Sequence, residues 1–195
     1  MRGIEQIPWL YDLSMALMPG IRRWRRSLAG LADGRVLEVG CGTGQMLPLY
    51  SGETGLIGLD PNIDALNRAA RRSPCSGLLC ASAEKLPFAR ASFDTVVSSL
   101  VFCSVNDPAA GLAEIHRVLK PGGQLLMLEH VQARNRPGRW LLNTLQPAWT
   151  RITGGCHPNR ETEIEVENCG FRIERGFYQA HGLFRLFVAR RISHE

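Results

Sequence analysis

From residue 34 to residue 44 the chain reads Gly-Arg-Val-Leu-Glu-Val-Gly-Cys-Gly-Thr-Gly, an apolar run that breaks into alternating glycines. The run 35–39 predicts a buried strand, and the glycines predict a turn with a helix behind it from about 45 to 50. Glycines at 40, 42 and 44 let the backbone take positive φ and pass close to a ligand, because no Cβ intervenes. A helix starting there would aim unpaired N–H groups and its positive end at the same place. Position 45 is Gln, so the third glycine of the dinucleotide fingerprint G-x-G-x-x-G is missing. Glu38, inside the strand, is a second departure. A carboxylate there suits an ammonium or sulfonium group and repels a pyrophosphate.

After Gly34 strand and helix patterns alternate, which predicts an α/β fold: a Rossmann-like, seven-stranded, mostly parallel sheet with helices on both faces. Further strands are expected over 55–59, 77–81, 93–99, 124–129, 171–178 and 184–190, the last antiparallel. Helices are expected over 63–72, from 107–108 to 119, over about 137–150 and over 160–168. Asn62 or Asp60 can cap the helix at 63, and Lys-Pro-Gly-Gly at 120–123 stops the helix before it. Upstream, apolar residues recur at helical spacing between 4 and 31, broken by Pro19-Gly20. This predicts an N-terminal helical lid in which Tyr11 and Asp12 can close over a cofactor. A single domain is expected: lid 1–33, cofactor-binding core 34–131, and substrate-side helices with the last two strands over 132–195.

The chain has 195 residues with 45% hydrophobic and 21% charged, ordinary for a globular protein. No apolar run is long enough to span a membrane and no signal-peptide core is evident, so a cytoplasmic location is expected. Six cysteines, at 41, 75, 80, 103, 156 and 169, lack C-x-x-C spacing, and no metal is expected. The net charge of +5 is uneven, with Arg22, Arg23, Arg25 and Arg26 close together. They read either as a solvated lid face or as a basic segment touching the inner face of a membrane peripherally; no nucleic-acid signature accompanies them.

Ligands of open α/β sheets bind beyond the carboxyl ends of the strands. That rule selects the glycine turn with Cys41, Asp60-Pro61-Asn62, Ser82-Ala83 and the stretch from Ser99 to Ser104. An acid where Asp60 stands can accept both hydroxyls of a ribose. The ordered set E-V-G-C-G-T-G, G-L-D-P-N, A-S-A-E-K-L-P-F, F-D-T-V-V-S-S-L and E-I-H-R-V-L-K-P-G-G-Q-L-L-M-L-E-H resembles the class I S-adenosylmethionine (SAM) methyltransferases of the ubiquinone-biosynthesis type. The resemblance implies SAM as cofactor. It places Gly40 and Gly42, near Glu38, on the methionine part and Asp60 on the ribose. Pro61 and Asn62 fall beside the adenine, Ala83 meets it through its backbone, and Leu100 packs on the cofactor. The family usually carries Asp where this chain has Ser82, which can accept one hydrogen bond without the charge.

Leu100–Val105, Glu129-His130-Val131 and Gln146–Trp149 with Gly155, Cys156 and Arg160 further resemble the membrane-associated alkyl-thiol methyltransferases and, less closely, the bacterial phospholipid N-methyltransferases. A small-molecule substrate pocket with Phe102, Cys103, Trp149, Cys156 and Arg160 is the expectation. His130 is either a base for a thiol or acidic carbon or a satisfied structural histidine. The expected activity is methyl transfer to a small apolar acceptor, a thiol favoured. The alternatives are a lipid-like acceptor, meaning a phospholipid amine or quinone ring carbon, and a SAM-binding module without catalysis.

Overall fold

The structure is a computed structural model that describes residues 3, 7–51, 55–73, 77–174 and 178–192. Cys75 and the expected helix start at 4–6 lie outside the described residues. Two helices open it, α1 (Pro8–Ala16) and α2 (Ile21–Ala29), separated at Pro19-Gly20 as the composition requires. Strand β1 (Arg35–Val39) follows. A single 3₁₀ turn (Leu47–Leu49) then leads to β2 (Gly55–Asp60), α3 (Ile63–Arg72), β3 (Gly77–Cys80) and β4 (Phe93–Ser99). The second half runs α4 (Pro108–Val118), β5 (Leu119–His130), α5 (Arg136–Thr153), α6 (Thr162–Asn168), β6 (Phe171–Ile173), β7 (Gln179–His181) and β8 (Phe184–Arg191).

The sheet order is β3-β2-β1-β4-β5-β8-β6, with β7 beside β8. The first five strands are parallel; β8 pairs antiparallel with β5, and β6 and β7 pair antiparallel with β8. The order reverses between β1 and β4, which puts the switch point, and with it a crevice, at the end of the glycine strand. Strand side chains alternate between faces and both faces are covered, so β1 and β5 read as continuous apolar runs. Leu37, Val96 and Leu125 face one core with α4 and α6; Val36, Val97 and Leu126 face the other with α2 and α3.

Several expectations need correction. The helix at 45–50 is one 3₁₀ turn, because Pro48 has no N–H to continue a helical ladder and biases Leu47 away from helix. The ligand-facing helix N-terminus is therefore absent. Strand β5 begins at Leu119 rather than 124: Lys-Pro-Gly-Gly is taken up as an irregularity of register opposite Phe93 and Thr95, with Gly122 at φ +71. The expected strand 171–178 is found as β6, with β7 further on along the same edge of β8. Helix α6 starts two residues later than expected and α5 extends to Thr153. Asn62, not Asp60, caps α3, accepting from the N–H groups of Asp64 and Ala65 at 3.0 and 3.3 Å.

Helix α3 is seated directly on the glycine turn. A Cβ at Gly44, where φ is +77, would lie 2.8 Å from Cα and Cβ of Ala69. Strain and overlap act together, so Gly44→Ala is expected to cost about 2 kcal/mol or more of unfolding free energy. Urea denaturation followed by circular dichroism measures it; a variant as stable as the parent would show that α3 can retreat.

Candidate active site

At the end of β1 the chain turns through Gly40-Cys41-Gly42, and three bonds hold the turn. Cys41 N–H donates to the Leu59 carbonyl at 2.9 Å, Gly42 N–H to Asp60 Oδ2 at 2.9 Å, and Gly44 N–H to the Cys41 carbonyl at 2.8 Å. Asp60 Oδ1 accepts from Asn62 N–H at 2.8 Å, so the carboxylate is aimed from both sides. At Gly42, φ +54, a Cβ would meet nothing nearer than Asp60 Oδ2 at 4.0 Å; it would project into open space. That space is a cleft of ≈ 360 Å³, within the range typical of small-molecule sites.

Glu38, Gly40, Cys41, Gly42, Asp60, Pro61, Asn62, Ser82, Ala83 and Leu100 line the cleft, together with Tyr11 from the lid. The structure thus brings every expected cofactor residue to one cavity. Glu38 is buried, and its Oε2 has no hydrogen-bond partner among the described residues. Burial pushes its carboxyl up to about 7. The Tyr50 hydroxyl, short of a well-formed hydrogen bond, and the Arg25 guanidinium favour ionisation, while Asp60 opposes it. Burial also raises Asp60, against the pull of the Asn62 and Gly42 N–H groups.

The opposite wall follows β4. Leu100 holds φ +61, unusual for a branched side chain. The buried Glu129 fixes this turn: Oε1 accepts from Ser98 Oγ at 2.7 Å, and both oxygens accept from Val101 N–H at 3.2 Å. Burial raises Glu129 to about 7, moderated by Ser98 and the N–H groups of Val101, Phe102 and Cys103. Val101, Ser104, Val105 and Asn106 reach the cleft from this wall, and Gly154 closes it from the end of α5.

Arg25 overturns part of the basic-segment reading. Arg22, Arg23 and Arg26 are exposed, whereas Arg25 is buried and lines the cleft. Its guanidinium donates to Gln45 Oε1 at 2.5 Å, Tyr11 Oη at 3.0 Å and Ser99 Oγ at 3.2 Å. Its place was readable from spacing, since Ile21, Arg25 and Leu28 share one helical face and all three are buried. Asp12 fastens the lid, accepting from Thr43 Oγ1 at 2.5 Å, Gln45 Nε2 at 2.7 Å and Arg72 Nη2 at 2.6 Å. Burial alone would raise Asp12, but Arg72, Thr43 and Gln45 hold it below the usual carboxylate range.

The expected substrate residues lie elsewhere. Phe102, Cys103, Trp149, Cys156, Arg160 and His130 are not among the residues that line the cleft. Phe102 is fully buried in the core because the Glu129 clamp turns it inward. Arg160 donates to the Phe102 carbonyl, and His157 N–H donates to that of Cys103 at 2.7 Å; both tie the 155–160 segment to this turn. His130 stacks on Phe184 with ring centroids 5.1 Å apart, and its Nδ1 lies 3.8 Å from Cys156 Sγ. The Cys103 thiol lowers Cys156 against the effect of burial, helped by His130 and Trp149. Trp149 is 45% exposed, with its indole reaching the buried Cys156. Among the described residues no group of His, Cys, Asp and Glu is arranged to hold a metal.

A family profile described as a methyltransferase domain matches residues 37–127. The thiol S-methyltransferase TMT1B of Rattus norvegicus is 35% identical over 144 residues, which are 70% of this chain and 59% of that protein. The phosphatidylethanolamine N-methyltransferase of Cereibacter sphaeroides is 34% identical over 128 residues, 62% of this chain and 63% of that protein. The chain thus matches about three fifths of the length of these relatives. A crystal structure from Thermotoga maritima, of a SAM-dependent methyltransferase and possible histamine N-methyltransferase, shares the fold with a TM-score of 0.72. It does so at 20% identity, over 96% of this chain and 97% of that one. Family and fold imply use of SAM, and the cleft fits it: the unpartnered Glu38 oxygen suits an ammonium, and the open face of Gly42 leaves room beside Asp60.

A cationic ligand favours ionised Glu38, whose carboxyl stands above its unfolded value in the empty fold. SAM affinity is therefore expected to rise as pH increases toward about 7, by up to about tenfold per unit, and to level off above. Titration calorimetry across pH 5 to about 8 checks this; Glu38→Gln should bind more weakly and with a flat profile, and a steep profile in that variant would discount Glu38. Residues 37–127 thus carry a match to a methyltransferase domain, and they lie in a fold shared with the structure of a SAM-dependent methyltransferase.

Proposed function

We propose that the protein transfers a methyl group from SAM to a small apolar acceptor, with a thiol favoured. The observation that carries this reading is a cleft with polar groups and apolar surface together. Glu38, Asp60 and the glycine turn supply the polar groups, while Val101 and Val105 bring apolar surface beside Ser104, Asn106 and Gly154. The similarity to a relative named as a thiol S-methyltransferase supports the choice of acceptor. In this reading Glu38 and Gly40–Gly42 hold the methionine end, Asp60 the ribose, and Pro61, Asn62, Ser82 and Ala83 the adenine. Glu84, on the same wall as Ser82, contributes a carboxylate where Ser82 lacks one. Arg25, with N–H groups beyond the three it has donated, faces the carboxylate of the methionine end.

The cofactor supplies a methyl group already activated on sulfonium, so the chain's part is to align the acceptor and exclude water. Thiols ionise near pH ~8.5, and a thiol acceptor reaches its reactive form without a strong base. His130, behind the cleft wall, is then a positioning residue that holds Cys156 and the 154–156 segment. A lipid-like acceptor is the second reading, favoured by the exposed Trp9 and Trp149 on the two helices that reach the cleft.

Methyl transfer to a panel of small alkyl thiols, alongside calorimetric SAM binding, tests this reading. Turnover is expected in the parent protein, and Asp60→Ala should lose SAM binding and turnover together. His130→Ala should lower kcat by less than about tenfold and leave the pH profile tracking the thiol. A fall of a hundredfold or more, with a changed shape of the pH profile, would make His130 the base instead. SAM binding without turnover on thiols, amines or quinones would leave a binding module.

A further inference from the structure

Helix α5 is amphipathic the wrong way round for a helix of a water-bathed domain. Its outward positions carry Trp140, Leu141, Leu145, Ala148, Trp149 and Ile152, at successive offsets of one, four, three, one and three residues. They form a single stripe along one side. Trp140 is 70% exposed, Leu145 52% and Ile152 58%, and among the helix's own residues only Thr153 is buried. The side that meets the protein is polar. Asn143 accepts from Gln132 and Asn159, Gln146 donates to Thr150, and Thr150 donates to the Cys156 carbonyl at 2.8 Å. Turning α5 over would bury its apolar stripe but would break the bonds to Gln132, Asn159 and the Cys156 carbonyl.

Helix α1 repeats the pattern on a smaller scale. Trp9, Leu13 and Leu17 recur every four residues and are 57%, 51% and 75% exposed. Both helices reach the cleft: Pro8 and Tyr11 of α1 line it together with Gly154, the residue after α5. The exposed apolar stripes thus lie on two elements that contribute to the cleft wall. Arg136 and Arg151 lie exposed at the two ends of α5, and Arg134 and Arg139 stand near its start. Large apolar residues with tryptophan, bordered by arginines, are the composition of a helix lying in a lipid interface. A second copy of the chain fits less well, because pairing two such helices would bring two sets of arginines together.

We infer that α5, with α1 beside it, docks on an anionic lipid surface with the mouth of the cleft turned toward that surface. No described helix is long and apolar enough to cross a membrane, so the contact is one of lying on the surface. This holds whichever acceptor is methylated. It can fail while the methyl-transfer reading stands, because the readout is partition into vesicles and not turnover.

The test is flotation of the whole protein with vesicles of phosphatidylcholine alone or mixed with phosphatidylglycerol. Binding to the mixed vesicles is expected. Trp140→Gln with Leu145→Gln should weaken it by at least about tenfold, since each large side chain contributes about that factor or more. Arg136→Gln with Arg151→Gln should remove most of the preference for the anionic lipid. Both pairs of changes are on exposed positions, and unaltered calorimetric SAM binding in each variant shows an intact fold. Parent protein that floats with neither vesicle, or binding that survives the Trp140 and Leu145 changes, overturns the inference. So does a dimer by light scattering that those two changes dissolve, which would assign the face to a second copy.

Discussion

Glu129 ends β5 fully buried, where it gathers the Ser98 hydroxyl and the N–H groups of residues 101 to 103. A carboxylate in that position acts as a template for the backbone around it. It holds the turn after β4 in a shape that includes a left-handed leucine, sends Phe102 into the core, and turns Val101, Ser104 and Val105 toward the cleft. The cost is desolvation of an ion or retention of its proton, and the rise of Glu129 to about 7 expresses that balance. Glu38, across β4 from it, is in the same condition with the opposite purpose. Glu129 spends its lone pairs on the protein, whereas Glu38 keeps an oxygen unpartnered beside a cavity. One buried acid builds the site and the other waits for a cation.

Much of this could be read from residue order because the physics is local or periodic. Alternating apolar runs gave β1, β2, β4 and β5, glycines marked the turn, Pro19-Gly20 split the lid, and Asp60-Pro61-Asn62 marked the end of β2. Asp60 and Asn62 divided their work in a way that composition alone left open: one orients toward the cleft, the other caps α3. Pro48 carried the information that no helix follows the glycine turn, but the general pattern of strand, turn and helix outweighed it.

Long-range placement was harder to read. Four neighbouring arginines look equivalent in a string, yet helical phase sends Arg25 inward with Ile21 and Leu28 while the others stay out. The expected acceptor-side residues stand outside the lining of the cleft, and for Phe102 and Cys103 that follows from Glu129, distant in sequence and disguised near the end of an apolar strand. The spacing of α5 predicted a helix correctly, but spacing cannot say which side faces the protein. That was decided by hydrogen bonds from Gln132 and Asn159 and to the Cys156 carbonyl.

The lid is tied to the very turn it covers. Asp12 bridges Thr43, Gln45 and Arg72, and Tyr11 accepts from Arg25, which itself lines the cleft. Were a bulky ligand to enter or leave past α1, it would have to loosen several of these bonds at once. Residence time inside the cleft would thereby be linked to the strength of a partly screened ion pair. The tempo of a catalytic cycle would then be set at the hinge of the lid rather than at the reacting atoms.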